Sequence, residues 1–146
     1  MIVLDSNVIS ETMRKTPDAR VVAWLDAQSV ETLYLAAISV AELRFGIAVA
    51  PRGRRQRQLA EMLEKEILPA FATRILPFDL ATSRAYAELM AKARAAGLGI
   101  PVADGYIAAT AAANEMRIAT RNTKHFQATG LRVIDPWLDH ERLKTS

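Results

Sequence analysis

Met1-Ile2-Val3-Leu4-Asp5-Ser6-Asn7 opens the chain, and its reading decides the fold. Three apolar residues run straight into a carboxylate, followed by two small polar residues. A short apolar run of this kind reads as a strand buried on both faces, the pattern of a parallel sheet. Asp5 then falls where the strand leaves the sheet. In open α/β sheets ligands collect at the carboxyl ends of strands, so Asp5 is placed for chemistry. A second reading stays open at this point, in which Asp5 only caps the helix that follows. A buried strand at residue 2 also leaves no room for a signal peptide.

Working outward, the same alternation recurs. Val8-Ile9-Ser10-Glu11-Thr12-Met13 reads as a short helix capped by Asp5 or Ser6. Asp18 caps a helix through about Gln28, with Val21, Val22, Trp24 and Leu25 on its apolar side. Residues 33–38 form a second buried strand, and a helix starts at Ser39-Val40-Ala41-Glu42 and runs to about Val49. Pro51-Arg52-Gly53 breaks the chain. A longer helix follows from Arg54 to about Phe71, with Leu59, Met62, Leu63 and Ile67 as its apolar stripe, kinked or ended early by Pro69. These two helices read as an antiparallel hairpin whose tip carries Arg52, Arg54, Arg55 and Arg57 together. Residues 74–78 are a third strand, and Asp79 caps a helix to about Ala96 that Gly97-Leu98-Gly99 ends. Pro101 starts an alanine-rich helix to about Asn114, whose alanines predict close packing against a neighbour. Residues 117–120 and 131–134 are the fourth and fifth strands, joined by a helical turn that Asn122 caps. From Trp137 to Ser146 the chain is a polar tail. Strands alternating with helices predict an α/β sandwich with a mostly parallel sheet.

Composition narrows the chemistry. The 146 residues fit a single domain spanning 1–146. The chain has no cysteine, which excludes disulfides and thiolate chemistry and suits a reducing cytoplasm. His125 and His140 form no H-E-x-x-H pair, which disfavours classical zinc catalysis. No apolar run approaches the ~18 residues that a membrane span needs. Nineteen Lys plus Arg against sixteen Asp plus Glu give a net charge of +3, which permits a polyanionic partner without demanding one.

Three acids fall near strand ends: Asp5 after the first, Glu42 four residues past the second, and Asp104 in the first turn of the helix leading into the fourth. Carboxylates sharing a cleft repel one another unless a cation neutralises them. Mg2+ takes oxygen ligands, keeps several waters and needs only one or two carboxylates plus substrate phosphate; Mn2+ suits similar ligands. Such a site favours phosphoryl transfer or phosphodiester hydrolysis. Each acid also has a plainer reading. Ser39-x-x-Glu42 matches a capping box, and Asp104 near a helix N-terminus is favoured by the macrodipole. His125 reads as a surface residue rather than a ligand. A haloacid-dehalogenase phosphatase would need a second acid where Asn7 stands, and a phospho-receiver domain an acidic pair after the first strand.

The segments Val3-Leu4-Asp5-Ser6-Asn7, residues 38–47 (Ile-Ser-Val-Ala-Glu-Leu-Arg-Phe-Gly-Ile), Ile100-Pro101-Val102-Ala103-Asp104 and Ala119-Thr120-Arg121-Asn122-Thr123 together resemble the PIN domains, and among them the VapC and FitB toxins of bacterial toxin–antitoxin pairs. The resemblance implies a five-stranded parallel sheet between two helical layers and a Mg2+- or Mn2+-dependent ribonuclease. It also implies a homodimer and a small antitoxin whose tail blocks the acidic cleft. By position it assigns Asp5, Glu42 and Asp104 as the metal-binding, catalytic acids. Ser6, Asn7 and Thr120 become accessory residues. Many members carry a fourth acid where this chain has Asn122, a weaker, neutral ligand at best, so a one-metal site is expected and Asn122 reads more simply as a helix cap. Water activated at such a site would leave a 5′-phosphate and a 3′-hydroxyl. Arg52, Arg54, Arg55 and Arg57, with Arg14 and Lys15, are the candidate RNA-binding cations, against the alternative of a solvated hairpin tip. The rival to the enzyme is a PIN-like module that binds RNA or protein without cutting, kept open by Asn122. Apolar surface for a dimer is sought on the helices at 19–28 and 39–49.

Overall fold

The computed structural model describes residues 1–138, so the expected tail lies outside it from residue 139 onward, His140 included. In chain order the elements are β1 (Ile2–Leu4), α1 (Ser6–Thr12), α2 (Ala19–Asp26), β2 (Leu33–Ala36), α3 (Ala37–Ala48), α4 (Arg54–Glu61), α5 (Leu68–Ala70), β3 (Ile75–Leu76), α6 (Leu80–Ala95), α7 (Val102–Ala113), β4 (Arg117–Ala119), α8 (Thr123–Gln127) and β5 (Val133–Ile134). The five strands form one sheet in the order β3-β2-β1-β4-β5, and every pairing is parallel. The chain leaves β1 toward β2 and β3, then returns to the other side of β1 for β4 and β5. The crevice between the carboxyl ends of β1 and β4 is therefore the topological switch point, where such sheets bind ligands.

Side chains alternate across the sheet and fill two cores. Ile2, Leu4, Leu33 and Leu35 face one layer with Val8, Val21, Trp24, Leu43 and Leu63. Val3, Ala36 and Ile118 face the other with Ile107, Ala108, Ala111 and Phe126. This is the expected three-layer sandwich. Ala108, Ala109 and Ala111 of α7 are fully buried, and small residues let helices approach closely. A Cβ on Gly105 would come within 2.8 Å of the Met90 sulfur and 3.1 Å of the Tyr86 ring, which sets how tightly α6 lies on α7. No helix among the described residues is long and apolar enough to cross a membrane.

Three local readings are refined. The second strand ends at Ala36 and α3 begins at Ala37, two residues before Ser39. Ser39 thus lies inside the helix, buried, with its hydroxyl unpartnered; no capping box forms. The helix expected over 54–71 runs nearly that far, and of the two effects open to Pro69 it shows distortion and not an early end. It widens to a π-helical stretch over Met62–Ile67 and stays helical to Ala70. Proline lacks the N–H and its ring collides with the carbonyl four residues earlier; widening the preceding turns relieves that collision. Finally, Trp137, read as the first residue of a polar tail, is buried in the first core, with the Arg121 guanidinium 5.2 Å from its ring centroid.

Candidate active site

The site is built at the switch point. Asp5 follows β1 while its backbone N–H still donates to the Ala119 carbonyl at 2.9 Å, so the carboxylate is held by the sheet itself. It is 2% exposed. Oδ1 accepts from the Ser6 backbone N–H at 2.7 Å, and Oδ2 accepts from the Thr120 hydroxyl at 2.7 Å and the Asn7 side-chain amide at 3.3 Å. Asp5 therefore does cap α1, and is a buried, networked carboxylate as well. Thr120 sits at the end of β4, the strand next to β1. Its oxygen also accepts from the Asn122 backbone N–H at 3.0 Å, and Asn7 Oδ1 accepts from the Arg121 N–H at 3.4 Å. Ser6, Asn7 and Thr120 are thus the scaffold of Asp5.

Glu42 lies half-buried on α3, its Oε1 accepting from the Ser6 hydroxyl at 3.3 Å. The early start of α3 places Glu42 in the second turn, facing the site rather than capping its own helix. Asp104, in the first turn of α7, is bridged by Oδ2 to Nδ1 of His125 on α8 at 2.6 Å.

Electrostatics tie the three acids together. Burial pushes the Asp5 carboxyl above its usual range; its hydrogen bonds pull the other way and the charge of Asp104 adds to the rise. Burial likewise raises Glu42, reinforced by Asp5 and Asp104. The charge of Asp104 is thus felt by both other acids at the switch point, and that of Asp5 by Glu42. Among the described residues, no three Asp, Glu, His or Cys side chains are close enough to cage a metal ion unaided. The donor set is all oxygen, the charges are like, and the spacing is loose. That chemistry fits a hard cation that retains water and shares its coordination with a substrate phosphate.

An open cleft of about 510 Å³ runs from Ser6, Asn7 and Glu42 to Leu59 on α4, with Arg14 and Arg55 on its walls. The arginines expected at one hairpin tip are divided. Arg55 is half-buried and donates to the Met13 carbonyl at 2.7 Å, while Arg57 lines a separate groove beside Arg44 and Glu64. Residues two apart on a helix point in nearly opposite directions, so Arg55 and Arg57 fall on different faces of α4. Arg52 and Arg54 stay exposed. Asn122 holds the position before α8, but its side chain makes no capping bond.

His125 was missed. It is separated from Asp104 by 21 residues, and its contact exists only because α8 docks on α7. The one local signal is Phe126 beside it, an apolar residue in a polar turn.

With this geometry in view, comparison with known proteins gives a consistent result. The PIN domain family profile matches residues 2–131. The chain is 58% identical over 137 residues to the VapC ribonuclease Y4jK of Sinorhizobium fredii, covering 94% of this chain and 98% of that one. It is 50% identical over 139 residues to the toxin FitB of Neisseria gonorrhoeae, covering 95% of this chain and 100% of that one. The crystal structure of FitAcB from the same organism superposes with a TM-score of 0.90 at 50% identity, over 94% of this chain and 99% of its own. The chain belongs to the PIN domain family.

Proposed function

We propose that this protein is the ribonuclease toxin of a toxin–antitoxin pair, cutting RNA phosphodiesters with a Mg2+ or Mn2+ ion held by Asp5, Asp104 and Glu42. The names of its relatives, a VapC ribonuclease and the toxin FitB, support the class. The observation that carries the chemistry is the gathering of the three acids at the switch point, with two of them raised by burial and by their neighbours' charge. When bound, the cation polarises the phosphate and lowers the pKa of a water. The chain's own residues do the rest. Thr120, Ser6 and Asn7 fix the Asp5 carboxylate, Ser6 also steadies Glu42, and Arg14 and Arg55 stand along the cleft to hold the RNA backbone. Water attacks phosphorus, the bond to the 3′ oxygen breaks, and a 5′-phosphate and 3′-hydroxyl remain.

The chain works as one domain in the cytoplasm, where its RNA is, and pairs with a cognate antitoxin and with a second copy of itself. Phe45 on α3 and Val49 just past its end, both largely exposed, give apolar surface for such contacts. The competing reading of a binding module that does not cut is disfavoured by the intact acids.

The test is cleavage of a short RNA with and without Mg2+ or Mn2+, with end-group analysis of the products. Metal-dependent cleavage leaving 5′-phosphate ends, lost in Asp5→Asn, is expected. A 2′,3′-cyclic phosphate formed without metal would overturn the scheme, and a folded wild type that binds RNA without cutting it would favour the binding module.

A further inference from the structure

The three acids differ in how they are held. Asp5 accepts from Ser6, Asn7 and Thr120, and Glu42 from Ser6. Among the described residues, Asp104 has one hydrogen-bonding partner, His125, at 2.6 Å, and only Oδ2 is engaged. The contact is not an accident of a free surface side chain. Phe126, the next residue, is fully buried with Ile107, Ala108 and Ala111 of α7, so α8 is anchored to the helix that carries Asp104. The Asp104 side chain is 14% exposed and that of His125 43%, so the carboxylate is the more buried partner of the pair. A carboxylate only accepts, so the proton of this bond lies on Nδ1.

Resting on the metal-site reading above, we propose that His125 is the positioning residue of Asp104: its Nδ1–H occupies Oδ2, fixes the carboxylate plane, and leaves Oδ1 as the oxygen offered to a divalent cation. Hydrogen-bonded outer partners of metal-ligating carboxylates act in this way, and removing one typically weakens metal binding by about 10–100-fold. Asn122, where many family members place an acid, stands before α8 with no side-chain capping bond.

The test is calorimetric titration of Mn2+ into the metal-free wild type and into His125→Ala, His125→Asn and Asp104→Asn, with circular dichroism to confirm the fold and pulsed EPR of bound Mn2+. His125→Ala should bind Mn2+ about 10–100-fold more weakly. His125→Asn, which keeps an N–H near the Nδ1 position, should recover much of that loss, and the EPR should show no directly coupled nitrogen. Equal affinity in wild type and His125→Ala overturns the inference alone, as does an Asn variant no better than Ala when both are folded. A directly coordinated nitrogen overturns it too, by making His125 a ligand. A wild type that binds no Mn2+ defeats the metal-site reading itself, and the positioning role with it.

Discussion

The two ends of the acidic cluster are built by different means. At the Asp5 end, everything is close in sequence or adjacent in the sheet: a strand end, the two residues after it, and Thr120 on the neighbouring strand. The carboxylate is buried and its bonds come from groups that the parallel ladder has already fixed. At the Asp104 end, a carboxylate on one helix is held by a single imidazole on another, partly open to solvent. The first end is a rigid product of the sheet. The second is a contact between docked helices, held in register by Phe126. A site of this kind has one fixed wall and one that depends on helix docking, and the two walls should respond differently to mutation.

Asp5→Asn should have the largest effect. It keeps the shape but removes the charge a cation would meet, and it turns a donor toward a Thr120 oxygen already accepting from Asn7 and Asn122. Loss of several kcal/mol of transition-state stabilisation corresponds to a rate reduction of about 10³-fold or more, read in the RNA cleavage assay. Equal loss in a Thr120→Val variant would show that the scaffold matters as much as the ligand.

Thr120→Val is the next step down and probes the fixed wall by stability. The hydroxyl is buried, donates to Asp5 and accepts from Asn122, so its removal takes the shorter of two side-chain hydrogen bonds from the buried Asp5 Oδ2. The cost should be about 1–3 kcal/mol, a fall in Tm of roughly 3 °C per kcal/mol in thermal unfolding. His125→Ala, on the partly exposed wall, should shift Tm much less.

The arginines sharpen the comparison further. Arg55→Ala loses the bond to the Met13 carbonyl and a cation on the cleft wall, so it should cost about 1 kcal/mol in stability and reduce the salt slope of RNA binding by about 1. Arg57→Ala, in the other groove, should leave the stability within about 0.5 kcal/mol and the salt slope unchanged. Identical behaviour of the two variants in salt-dependent binding assays would return both to a solvated helix surface.

The smallest effect is expected away from both walls. Ser39→Ala removes a buried, unpartnered hydroxyl and should stabilise by up to about 1 kcal/mol, measured as a raised denaturation midpoint.

How much of this could be read from the amino acids follows the same division. Ile2-Val3-Leu4 and the strands like it are buried on both faces, so their apolar runs are plain. Because β1 lies central in a parallel sheet, the acid after it had to fall at the ligand-binding edge. Asp104 was visible as an acid but its partner was not, since nothing in Thr123-Lys124-His125-Phe126 says that α8 docks on α7. Ser39 misled because Ala36-Ala37-Ile38 is apolar whether it ends a strand or starts a helix, and the capping motif marked the later start. The arginine run misled through helical phase, and Trp137 because a single aromatic in a polar tail has no periodicity to reveal that it is buried.

The most direct measurement of the central claim, that the acids at the switch point form a cation site, is thermal unfolding of wild type and Asp5→Asn with and without millimolar Mn2+. A cation that binds only the folded state adds RT ln(1 + [L]/Kd), about 2.7 kcal/mol at a hundredfold excess over Kd. Mn2+ should raise the wild-type Tm and leave that of Asp5→Asn in place. Equal shifts in both proteins, or none in the wild type at any Mn2+ concentration, would contradict it.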